Sequence, residues 1–88
     1  MLTKEVRLGI VKQFQRDEKD TGSAEVQIAI VSKEIELLNE HLKVHTHDFH
    51  SKRGLMTKIG RRRAMLQYLK NEDIQRYRNL CDKLGLRR

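Results

Sequence analysis

Ile28, Val31, Ile35, Leu38 and Leu42 step along this chain by alternating threes and fours. That rhythm admits few folds. It lays five apolar side chains in one stripe along a helix, a seam suited to packing against a second long helix. Similar spacing recurs nearly everywhere, no proline interrupts it, and the alternation that marks strands is absent. The pattern predicts an all-α fold of four helices. Three of them form an antiparallel bundle, and the short N-terminal helix, marginal alone, packs against it in a way the sequence leaves open.

The first predicted helix covers residues 4–16, with Thr3 as its N-cap and Val6, Ile10 and Phe14 on one side. The polar run RDEKDTGS breaks it, where Gly22 supplies backbone freedom and Ser23 can cap the next segment. The second helix covers 24–44. The third covers 52–70, capped by Ser51, with Leu55, Ile59, Leu66 and Leu69 as its core face. The fourth starts near Asp73 and carries Ile74, Tyr77, Cys81 and Leu84, with Leu80 beside them; Gly85 followed by Leu86 reads as a left-handed C-cap.

Charge is the second constraint. Residues 51–70 hold seven bases and no acid, whereas residues 1–50 hold seven bases against nine acids and residues 71–88 five against three. One segment therefore carries an excess equal to the whole net charge of +7, the electrostatic footprint of a polyanion partner. With 88 residues, 38% apolar and 35% charged, one domain with one modest core is expected. A pI near 9.9 favours nucleic acid, an anionic membrane surface or an acidic protein. The lone Cys81 cannot form an internal disulfide, which points to an intracellular setting. No apolar run approaches the ~20 residues of a membrane span, and the N-terminus lacks a cleavable signal pattern. A bacterial cytoplasm is expected; synthesis inside a plastid is the less favoured setting.

The residues facing away from the seam carry the functional reading. On the third helix Arg53, Thr57, Arg61, Ala64 and Tyr68 fall opposite the core stripe. Tyr68 beside Arg61 could stack on a nucleotide, or simply lie over the Arg61 stem. Arg62 projects near the apolar side, where its stem can snorkel, and Arg63 and Lys70 sit on another flank. On the second helix Gln27, Glu34 and His41 recur every seven residues. Gln and His can read base edges or sugar hydroxyls, but Glu34 would repel phosphate, so this is no simple phosphate track. In the turn HTHDFHS, Ser51 reads as a plain cap and Asp48 as a turn former. In a basic neighbourhood Asp48 can also accept from an exocyclic amine or a ribose hydroxyl.

His41, His45, His47 and His50 raise the question of a metal, but no HExxH or CxxC pattern accompanies them. Neither a metal nor another cofactor is expected. Cys81 lies on a core stripe, where burial as a small hydrophobe is the default, and no catalytic constellation stands out. The chain reads as a binder rather than an enzyme. A helical protein-interaction module with a basic face is the competing class; a metal-dependent or thiol enzyme is a third.

Four segments together carry a resemblance: DTGSAEVQIAI at 20–30, EHLKVHTHDFHSKRGL at 40–55, QYLKNED at 67–73 and RYRNLCDKLGLRR at 76–88. In order and spacing the chain resembles, along nearly its whole length, the bacterial small-subunit ribosomal protein fifteen family. The resemblance implies three bundled helices with an N-terminal helix against them. It implies a monomer within the ribosome that binds 16S rRNA directly at a three-way junction, early in assembly of the platform. It also implies neighbouring platform proteins, and large-subunit rRNA at an intersubunit bridge. By position, Thr21, Gly22, Gln27 and Tyr68 resemble the family's junction-contacting set, and His41, Asp48 and Ser51 its minor-groove set. Arg53 and Arg61 join them as basic contacts. Phe49 stands where the family usually has histidine, Ala64 where lysine or arginine is common, and Arg61 where glutamine is more frequent. Glu34 replaces the neutral or basic residues often found there.

Overall fold

The computed structural model describes residues 2–15 and 23–86, which form four helices and, among the described residues, no strand. They are α1 (Lys4–Phe14), α2 (Ala24–Val44), α3 (Phe49–Glu72) and α4 (Ile74–Leu84). The bundle and its packed N-terminal helix are as the periodicity predicts. No described helix is long and apolar enough to cross a membrane.

Capping explains most boundaries. The Thr3 hydroxyl accepts from the Val6 amide at 3.2 Å, and Ser23 does the same for Val26 at 3.3 Å, starting α1 and α2 where expected. α1 stops at Phe14, short of the expected 16, because Gln15 is already extended. Asp73 is also extended; it ends α3 and caps α4, accepting from the amides of Gln75 and Arg76 at 3.1 and 3.2 Å. Its position lets α3 run two residues beyond the expected 70. Gly85 has φ 68°, and the Leu86 amide reaches back to the Cys81 carbonyl at 2.9 Å, the left-handed cap read from the sequence.

The start of α3 is a correction. Ser51 does not cap it. Asp48 does, so the helix begins at Phe49 and Ser51 lies inside its first turn. Both residue types favour capping, and local sequence does not choose between them.

Two apolar clusters fill the interior. Phe14, Val26, Ile28, Ala29, Ile30, Leu69 and Leu80 form the first, where all four helices meet. Val31, Ile35, Leu38 and Leu55 form the second, between α2 and α3 alone. The long helices therefore rise from a four-helix base as a two-helix hairpin, closed by residues 45–48. Cys81 is buried as expected, and Leu80 beside it is buried almost as deeply. The outer members of two predicted stripes, Val6 and Ile74, are 41% and 43% exposed, because they lie at helix starts, beyond the reach of the core.

Ion pairs tie the helices at their edges. Arg76 Nε donates to Glu25 Oε2 at 2.7 Å, joining α4 to the start of α2. Lys58 Nζ donates to Glu34 at 3.0 Å across the hairpin. Arg62 does lie at the seam edge, donating to Ser32 Oγ at 3.4 Å.

Candidate nucleic-acid interface

The hairpin tip gathers three of the residues singled out in the sequence. His41 Nε2 lies 2.7 Å from Asp48 Oδ2. The Ser51 hydroxyl donates to the same oxygen at 2.6 Å, and the Ser51 amide donates to Oδ1 at 3.1 Å. The turn makes this possible by folding back on itself: the His45 amide bonds the His41 carbonyl, and the Asp48 amide bonds His45. His45 in turn lies against His41, ring centroids 4.6 Å apart. Asp48 stays strongly ionised. Donation from the Ser51 hydroxyl, then from His41, then from the Ser51 amide, holds its carboxyl far below the ordinary carboxylate range.

This wiring has a chemical meaning. The carboxylate sits between serine and imidazole and receives from both, so the imidazole is not poised to take the Ser51 proton. What the cluster offers is a fixed set of acceptors and one imidazole. Asp48 and His41 keep side-chain exposures of 32% and 40%, so the set is reachable from solvent. The Ser51 oxygen still has accepting capacity while its proton is engaged.

Gln27 and Tyr68 sit at the opposite end of the hairpin, near the start of α2 and the end of α3, both exposed. Gln27 lies on the same face of α2 as His41, and the helical rise separates them by ~20 Å. Tyr68 is 60% exposed, and among the described residues no cation stacks on its ring. The lysines do the stacking instead: Lys70 over Tyr77 and Lys83 over Phe14. Thr21 and Gly22 lie outside the described residues.

Arg53 and Arg61 project from the exposed side of α3 between these two ends. Among the described residues neither enters an ion pair. Glu34 is held by Lys58 across the hairpin, so its charge is locally balanced rather than turned against a phosphate. Sequence spacing could not reveal that pair, since its partners are 24 positions apart. Phe49 is 67% exposed at the tip, edge-on to His47 at 6.3 Å. Ala64 is exposed and leaves a gap in the basic side of α3. Among the described residues no group of three or more ligating side chains gathers around a possible metal position.

Comparison with known proteins identifies the family. The model of the family described as ribosomal protein S15 matches residues 7–87. A protein of Leuconostoc citreum named small ribosomal subunit protein uS15 is 60% identical over 87 residues, covering 99% of this chain and 98% of its own. Proteins of the same name from Acholeplasma laidlawii and Carboxydothermus hydrogenoformans are 60% and 55% identical, each over the same shares of the two chains. A match this long, at this identity, leaves one conclusion: the chain belongs to the bacterial-type ribosomal protein S15 family.

Proposed function

We propose that this chain is a structural protein of the small ribosomal subunit that binds 16S rRNA directly at a three-way junction. It acts there as a monomer among platform proteins in the cytoplasmic ribosome, with no cofactor and no catalytic step. The observation that carries the proposal is the tip cluster. It offers acceptors already oriented by the fold, beside a helix whose exposed Arg53 and Arg61 enter no ion pair among the described residues.

A-form RNA presents a wide, shallow minor groove displaying 2′-hydroxyls and base edges. Its donors, the ribose hydroxyl and the guanine amine, suit Asp48 and Ser51. Because the fold has already oriented these acceptors, little ordering remains to be done on binding. Gln27 and Tyr68, with Thr21 and Gly22, engage the junction at the other end. The hairpin thus acts as a rigid spacer of ~20 Å between two contacts. It binds best the junction whose helices match that spacing and shifts the RNA population toward it. Arg53 and Arg61 add salt-dependent attraction along the way. In the assembled particle the protein helps order the platform and contributes to a bridge with large-subunit rRNA.

The test is binding of junction RNA by His41→Ala, Asp48→Ala and Ser51→Ala at one salt concentration. Each substitution should weaken binding, Asp48→Ala most. A basic interaction module using charge alone would tolerate loss of Asp48 or gain from it, and that result would reject the proposal.

A further inference from the structure

Gly54 is a residue for which the folded chain itself supplies no reason. It lies inside α3, where glycine loses more backbone freedom than any other residue. No left-handed backbone requires it, since Gly85 is the one described glycine with positive φ. No packing among the described residues requires it either: a Cβ built on Gly54 meets none of their atoms within 4 Å.

Its surroundings are specific. His50, Gly54, Thr57, Arg61 and Tyr68 step by four, three, four and seven residues, so they share one stripe of α3 from the tip cluster to the junction end. Gly54 and Thr57 help form a surface hollow of about 360 Å³ whose other walls are His50, Arg53, Lys58 and Arg61. The Thr57 hydroxyl is turned onto the Arg53 carbonyl at 3.1 Å, away from competing with a ligand for the arginines. A concave patch with a glycine in its lining and the arginines Arg53 and Arg61 on its walls, beside a Lys58 already paired with Glu34, fits an anionic strand lying close against the helix.

We propose that Gly54 is a close-approach position, where a ribose-phosphate segment of bound RNA lies in this hollow against the α3 backbone that lacks a side chain there. Arg53 and Arg61 hold the flanking phosphates, and the missing side chain lets the strand come near enough to reach both. The inference rests on the RNA-binding reading and adds to it a steric requirement on α3 that charge alone does not impose.

The experiment compares wild type, Gly54→Ala and Gly60→Ala for thermal stability and for binding to three-way-junction RNA. Gly60 is the control. It is exposed and, like Gly54, has open space around its Cβ position, but it faces about 120° away from Gly54 on the helix. Both variants should melt roughly 4–8 °C higher, because alanine favours the helix. Gly54→Ala should nevertheless bind RNA about tenfold more weakly, the effect of a misplaced methyl in a close contact, while Gly60→Ala binds as wild type does. Unchanged binding by Gly54→Ala, or equal loss in both variants, would overturn the inference. Wild type failing to prefer the junction would instead remove the functional reading on which it rests.

Discussion

Asp48 joins structure to function within one side chain. Its Oδ1 caps α3, and its Oδ2 receives Ser51 and His41. Because its folded pKa is depressed, the stabilisation from its charge is fully present above the ordinary value of 3.8. It is lost as pH falls below that value, where the unfolded chain takes up the proton first. Thermal melts of wild type and Asp48→Asn between pH 2 and 7 check this. Asparagine still caps, so the comparison keeps the Oδ1 cap while removing the charge and the acceptor at Oδ2. Wild type should be the more stable at pH 7, with the gap closing toward pH 2; a gap independent of pH would contradict the assignment. The sequence placed His41 on the second helix and Asp48 and Ser51 in the turn after it, but gave the cap to Ser51. The pairing of His41 with Asp48 was not legible, because the two meet only after the turn has closed.

At the scale of elements, the hairpin and its base should differ in stability. Residues near Leu69 and Leu80 are enclosed by four helices, whereas those near Leu38 and Leu55 are covered by one partner helix. Native-state hydrogen exchange should therefore show amides after Leu42 and before Leu55 opening at lower free energy than those around Ile28 and Leu69. Uniform protection along both long helices would be the contrary result. The apolar stripes were legible because burial imposes helical periodicity directly on the sequence. The bounds of α2 and the Gly85 cap were legible because a single residue decides each. The cross-hairpin pair Lys58–Glu34 was not, since its members meet only through the tertiary fold. The same is true of the Arg62–Ser32 contact, although the snorkelling position of Arg62 could be read from the helical wheel.

For the whole molecule, the concentration of charge in residues 51–70 should govern how binding responds to salt. Each phosphate contact releases counterions. Replacing Arg53 or Arg61 by glutamine should lower the slope of log affinity against log salt by about 1 apiece. Titrations at several salt concentrations would read this, and an unchanged slope in both variants would remove these arginines from the interface. The basic segment and the architecture were legible in composition and periodicity. The hollow at Gly54 was not, because a missing side chain leaves no apolar or charge signal of its own.

The central claim is recognition of RNA shape by two contacts held a fixed distance apart. The measurement that tests it most directly compares affinity for a three-way-junction RNA of the small-subunit central domain with affinity for the same RNA opened into a continuous duplex. Salt is held fixed near the physiological value. The account predicts a junction preference on the order of a hundredfold or more. Equal affinity for the two RNAs would contradict it, leaving the basic face of α3 as a non-specific anchor.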